Sequence, residues 1–271
     1  MDKILILSWN VSPEIFRLGG FSLRYYSVAF MLAILAAYMV LDRVFRRERV
    51  PPGTLDRLLV YMVTGTLLGA RLGHCLFYEA AYYKTHPWEI FLPVAFHNGQ
   101  IEFTGYEGLA SHGAAIGMLL AAWRFSIKYR LSLTWILDRL AIIVPLAGSL
   151  IRIGNFFNAE IIGVPSTLPW AVIFTRVDAQ PRHPAQLYEA FCYALIFCWQ
   201  RYRYYQAPRP GQLFGSLLLL VFTTRFCIEF VKENQVAFEN GHLLNMGQIL
   251  SLPLVFLGIY FLKFYKVYGE R

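Results

Sequence analysis

The chain has 271 residues, 57% of them hydrophobic and 15% charged, with a formal net charge of +8. Soluble domains carry about 45–50% apolar and about 25% charged residues, so this balance excludes an ordinary water-soluble fold. A net positive charge alone would admit a nucleic-acid partner, but its distribution along the chain does not.

A helix crossing a bilayer needs about 20 apolar residues. Seven such runs occur, near 21–41, 56–77, 108–127, 133–151, 185–201, 212–231 and 246–266. They predict an all-α polytopic membrane protein, a bundle of about seven transmembrane helices. No linker, low-complexity tract or internal repeat divides it, so residues 1–271 read as a single integral-membrane domain.

In chain order, Ile4 to Leu7 is too short for a signal h-region, and the first run is expected to act as an uncleaved insertion signal. That run opens with Arg24-Tyr25-Tyr26-Ser27, where Tyr26 is either a belt aromatic or a phenol donor. Arg43, Arg46, Arg47, Arg49 and Arg57 follow it. The second run holds Gly65, Gly69 and Gly73, and the third Gly113 and Gly117. Small residues at this spacing predict close helix packing. Arg71 is expected either to snorkel or to serve the site.

The connection near 78–107 has Lys84 beside Glu79, Glu89, Glu102 and Glu107. Ser111-His112-Gly113 opens the third run, and Arg124, Lys128 and Arg130 close it. The fourth run contains Asp138-Arg139, where local pairing or snorkelling explains the arginine, and Pro145, read as a kink. A long connection is expected over 152–184, with a turn and short strand after Pro165. Pro184 suits the first position of the fifth helix. Arg201, Arg203 and Arg209 follow that helix, Arg225 and Glu229 lie in the sixth run, and Pro253 is expected to kink the seventh. Lys263, Lys266 and Arg271 end the chain. Basic residues gather on alternate connections, as cytoplasmic loops do, which puts the N-terminus outside and the C-terminus inside. The charge is therefore a topology signal, with no nucleic-acid partner implied.

Cys75, Cys192, Cys198 and Cys227 lie in or beside apolar runs and read as small buried hydrophobes. There is no phosphate-binding Gly-rich loop, metalloprotease motif or paired-Cys motif, so no nucleotide, metal or redox cofactor is expected.

One stretch stands apart. Arg152-Ile-Gly-Asn155-Phe-Phe-Asn158-Ala-Glu160-Ile-Ile-Gly163 ends an apolar run with a guanidinium, two carboxamides and a carboxylate. A charged group at membrane depth costs about 2.5–3.5 kcal/mol on insertion scales, so such a cluster should face a wet or ligand-filled cavity. Arg225 with Glu229 is either an internal i,i+4 pair or, with Arg152, an anion clamp. The planar guanidinium fork matches phosphate oxygens. Glu160 and Glu229 would orient the cations, and Asn155 and Asn158 would donate to glycerol or ester oxygens. Histidine is the side-chain type whose ordinary pKa suits a general base at neutral pH, which makes His112 a candidate for that role.

The ordered set resembles the prolipoprotein diacylglyceryl transferase family. The Arg152–Gly163 stretch is similar to that family's signature. His183-Pro-Ala-Gln-Leu-Tyr-Glu189, Arg225-Phe-Cys-Ile-Glu229, Met246-Gly-Gln-Ile-Leu-Ser-Leu-Pro253 and the Ser12 to Tyr26 entry segment add to the likeness. Ile151, Ala114, Ala115 and Ser27 depart from the pattern in packing room and leave the polar set intact. The resemblance implies transfer of diacylglyceryl from phosphatidylglycerol to the lipobox cysteine thiol of a preprolipoprotein, at the bacterial cytoplasmic (inner) membrane. It implies catalytic work for His112, Tyr26, Arg225 and Glu229, with substrate binding by Arg152, Asn155, Asn158, Glu160 and Gly163.

The main rival is a transporter for an anionic or phosphorylated solute, which predicts repeat symmetry that the chain lacks. An intramembrane protease using Ser111 and His112 is disfavoured, because adjacent helical residues point about 100° apart. A non-catalytic lipid-binding scaffold is the third reading.

Overall fold

A computed structural model describes residues 6–18, 21–90, 94–97, 100–103, 108, 110–233 and 244–265. Eight α-helices occur among them: α1 (Tyr25–Arg47), α2 (Thr54–Phe77), the short α3 (Ala80–Thr85), α4 (Ser111–Tyr129), α5 (Leu133–Asn158), α6 (Ala185–Tyr205), α7 (Gln212–Glu229) and α8 (Met246–Lys263). The seven long helices fall on the seven apolar runs. Of these, α1, α2, α5, α7 and α8 are long and apolar enough to cross a membrane. The helices α4 and α6 fall short of that measure. The architecture is that of a mostly helical, polytopic membrane protein. Glu107, Lys266 and Arg271, used above for charge asymmetry, lie outside the described residues.

The all-α expectation needs correction, because seven short strands form three small sheets. They are β1 (Leu7–Trp9), β2 (Glu14–Leu18), β3 (Phe21–Arg24), β4 (Val94–His97), β5 (Gln100–Phe103), β6 (Val172–Phe174) and β7 (Pro181–Arg182). β1 pairs parallel with β6, and β6 antiparallel with β7; β2–β3 and β4–β5 are antiparallel pairs. Segments that leave the helices still need partners for their backbone groups, and crossing one another supplies them. The short strand expected after Pro165 is β6. The long connection begins later than expected, because the helix runs on to Asn158.

The chain forms two compact units, Phe45–Ile136 and the combination of Met1–Val44 with Leu137–Arg271. In the smaller, the glycine rows of α2 and α4 meet face to face. A Cβ at Gly65 would stand 2.6 Å from the Gly117 carbonyl oxygen, and one at Gly73 would stand 2.7 Å from the Gly113 Cα. Only hydrogen at these positions permits such an approach. Arg71 is buried here. Its Nε donates to the Ile90 carbonyl at 3.0 Å and its Nη2 to the Glu89 carbonyl at 2.5 Å, so it holds the turn after α3.

In the larger unit, polar groups cross-link the helices. Asp138 is buried, and its carboxylate accepts from the backbone N–H of Gly211 (2.7 Å) and Phe214 (2.8 Å). It thereby caps α7, whose own N-cap Gly211 has a φ of 85° and no side chain to offer. Gln200 Nε2 donates to the Leu213 carbonyl at 2.9 Å, and Ser149 Oγ to that of Ala190 at 2.8 Å. Phe156, Ile162, Val172 and Phe174 form a buried cluster beneath the β1–β6–β7 sheet, with Trp9 packed on it. That cluster anchors the last turns of α5.

Candidate active site

Arg152, Asn155 and Asn158 recur at intervals of three on the final turns of α5 and so share a face. Phe156 points into the cluster under the sheet. The helix then closes in a Schellman turn: Glu160 N–H bonds the Asn155 carbonyl at 3.0 Å and Ala159 N–H that of Phe156 at 3.1 Å. The left-handed position, usually glycine, is Ala159 with φ 55°, and Ile161 follows at φ 56°. The β-branched Ile161 is an outlier there, and the two left-handed residues concentrate backbone strain beside the polar cluster.

This turn folds Glu160 back over the helix end. Its carboxylate accepts from Asn155 Nδ2 at 3.0 Å and Asn158 Nδ2 at 2.9 Å. Its carbonyl accepts from Gln186 Nε2 at 2.6 Å. Gly163, two residues beyond the strained turn, is a backbone crossing. Its N–H bonds the His183 carbonyl at 2.9 Å, and a Cβ would stand 2.6 Å from the Val231 carbonyl oxygen. Arg182 Nη1 donates to the Gly163 carbonyl at 3.1 Å. Its hydrogen bond from Arg182 holds the Asp178 carboxyl below its ordinary range.

A second chain of contacts leads from Arg152. Its Nη1 donates to Asn155 Oδ1 at 3.2 Å, and its Nε lies 2.6 Å from Glu189 Oε2. That second contact is an ion pair with no hydrogen-bond alignment. Glu189 is fully buried on α6, and its other oxygen accepts from Lys232 Nζ at 2.8 Å. Lys232 donates again to Glu229 Oε2 at 3.1 Å. The Glu229 carboxylate rests on Gly247 at the positive end of α8, where a Cβ would stand 2.7 Å from its Oε1.

The expected i,i+4 pair between Arg225 and Glu229 does not form, since Glu229 turns to Lys232. Half-buried Arg225 makes no ion pair or hydrogen bond among the described residues. Arg152 and Arg225 both act electrostatically on the hydroxyl of buried Tyr193. Tyr26, in the first turn of α1, packs on Gly154 and lies within electrostatic reach of Glu160 and Arg152. The structure therefore gathers Tyr26, Arg152, Asn155, Asn158 and Glu160 around the end of α5, with Arg225 and Glu229 at the end of α7. His112 belongs to the other unit, exposed in the first turn of α4. Pro184 is the N-cap of α6 instead of its first helical residue.

Three members of this network had no role assigned from sequence: Gln186, Glu189 and Lys232. Gln186, Glu189 and Tyr193 sit three and four residues apart on α6, a polar stripe in an apolar run, and that spacing was the available signal. Lys232 follows α7 and carries no local signal. Among the described residues, no three His, Cys, Asp or Glu side chains gather as a metal site.

Fold and site together define a membrane protein that keeps a network of paired charges among apolar helices, with the Arg225 guanidinium unpaired among the described residues. The profile of the prolipoprotein diacylglyceryl transferase family matches residues 13–264. A phosphatidylglycerol–prolipoprotein diacylglyceryl transferase of Bacteroides fragilis is 45% identical over 97% of both chains. Enzymes of the same name from Chloroherpeton thalassium (41% identical, 96% of this chain and 94% of theirs) and Tolumonas auensis (43%, 94% and 95%) are also similar. The chain belongs to the prolipoprotein diacylglyceryl transferase family. That membership does not favour the transporter reading.

Proposed function

We propose that this chain transfers the diacylglyceryl group of phosphatidylglycerol to the lipobox cysteine thiol of a preprolipoprotein. The cysteine sulfur attacks the glyceryl carbon bonded to phosphate, a C–S bond forms, and the C–O bond to phosphate breaks. Glycerol phosphate leaves, and the thiol proton passes to a base. A thiol with a pKa near 8.5 is only a few per cent ionised at pH 7, so a base helps. His112 takes that role, with Tyr26 as a phenol donor.

The observation that carries this reading is Arg225, a half-buried guanidinium with no ion pair or hydrogen bond among the described residues, acting with the paired Arg152 on the same buried Tyr193. An open, fixed cation in a low-dielectric site stabilises charge developing on a phosphate leaving group. Arg152, held by Glu189 and Asn155, presents the other half of the clamp, and Glu229 orients the α7 side through Lys232. Asn155 and Glu160 fix the face, and Gly163 gives the backbone room that positions it. The buried oxygens Asn158 Oδ1 and Gln186 Oε1 have no hydrogen-bond partner among the described residues, and glycerol hydroxyls are donors of the right kind.

The chain crosses the bacterial cytoplasmic (inner) membrane seven times, N-terminus outside and C-terminus cytoplasmic. The alternating basic residues support this. On that topology, Tyr26, His112, Arg152, Glu189 and Arg225 all lie at outer helix ends.

The test mixes purified protein, phosphatidylglycerol and a lipobox peptide. Glycerol phosphate and thioether-linked peptide should appear in equal amounts, and neither with a Cys→Ser peptide. Flux of a phosphorylated solute into proteoliposomes with no lipid consumed would overturn the assignment.

A further inference from the structure

We infer that Lys232 is a positioning residue that sets the charge of the lipid-phosphate site. The inference rests on the reading that phosphatidylglycerol is bound there. Lys232 is 5% exposed and joins carboxylates from two helices, Glu189 at 2.8 Å and Glu229 at 3.1 Å. Its backbone pairs with Gly163 in an isolated antiparallel bridge. One residue therefore ties the loop after the strained turn, α6 and the end of α7 to one another.

The charges explain why the tie matters. Three cations, Arg152, Arg225 and Lys232, stand at these helix ends with three acids, Glu160, Glu189 and Glu229, so the formal charges cancel. Without Lys232 the cluster is left with one excess negative charge, close to where a phosphate must enter. Glu189 would also keep Arg152 as its sole cationic partner and draw that guanidinium away from the lipid. A buried carboxylate that loses one of two partners repels an anion in the ground state and the transition state alike. Such a loss weakens binding and leaves the bond-breaking step largely untouched.

Lys232 acts through Arg152 and the carboxylates. The test is steady-state kinetics of detergent-solubilised enzyme, normalised to folded protein. For Lys232→Met, KM for phosphatidylglycerol should rise at least about tenfold while kcat stays within about threefold. Lys232→Arg, which keeps the charge, should restore KM to within about threefold of the parent. Lys232→Met/Glu189→Gln removes one charge of each sign and should recover part of the affinity. If Lys232→Met does not fold, Lys232→Gln, which keeps a hydrogen-bond donor and removes the charge, carries the same comparison.

An unchanged KM in folded Lys232→Met overturns the inference. So does a variant that only lowers the yield of folded enzyme, or an Arg variant as impaired as Met. A parent enzyme that consumes no phosphatidylglycerol would instead refute the transferase reading itself.

Discussion

Asn155 Nδ2 donates to Glu160 Oε2 at 3.0 Å across a helix end that turns on the left-handed residue Ala159. The bond exists because the turn reverses the chain, and Asn158 completes it by reaching the other carboxylate oxygen. In Glu160→Gln an amide nitrogen would face one of these two donors. We expect transfer to fall about tenfold, since each hydrogen bond to a charged group is worth about 1.5–3 kcal/mol. The check is turnover of the folded variant against the parent at saturating lipid.

Asp138 offers a control on fold without chemistry. It caps α7 from 73 residues away and stands at the other end of α5 from Arg152. Losing a helix N-cap costs about 1–2 kcal/mol, so Asp138→Ala should lower the thermal midpoint. Its kcat per folded molecule should match the parent. Equal loss of stability and kcat would mean that the two ends of the bundle are coupled.

The apolar framework was legible in the sequence because hydrocarbon thickness imposes a length on any spanning helix. The Arg152–Glu160 stretch was legible for the converse reason, as polar groups where only apolar ones are tolerated without function. Lys232 and Glu189 were not legible as partners. They lie 43 residues apart, and no local pattern reports which buried acid meets which base. The use of Asp138 was hidden in the same way, because its partners are backbone groups on a distant helix. The β1–β6 pairing joins Leu7–Trp9 to Val172–Phe174, distant in the chain, through strands of three residues with too short a pattern to read.

Packing of α2 on α4 gives a prediction with no tie to the charged network. A Cβ at Gly65 would lie 2.6 Å from both the Gly117 carbonyl oxygen and the Ala121 Cβ, and two helices would have to separate to admit it. Gly65→Val should destabilise the fold by about 1–3 kcal/mol, the usual range for overpacking. Thermal unfolding in detergent or proteolysis of the α2–α4 unit reads this directly.

Outside the membrane, acid should loosen the loop between β6 and β7. Hydrogen bonding from Arg182 depresses the Asp178 carboxyl below its ordinary value of 3.8. A depressed carboxyl contributes stability above its unfolded pKa, and loses it as pH falls through the folded value. The contribution is therefore present at neutral pH and lost only below 3.8. Amide exchange at Ala179–Arg182 should accelerate over that acid range, and Asp178→Asn should show no such step.

We propose that Arg225, unpaired among the described residues, is one half of a phosphate clamp whose other half, Arg152, is held ready by Glu189 and Asn155. Inhibition by glycerol phosphate, the leaving group itself, tests it most directly. The account predicts competitive inhibition against phosphatidylglycerol, weakened at least about tenfold in Arg225→Lys, because an ammonium keeps the charge but loses the planar fork. Arg152→Lys should weaken it similarly. Unchanged inhibition in a folded, correctly inserted Arg225→Lys enzyme would contradict the account.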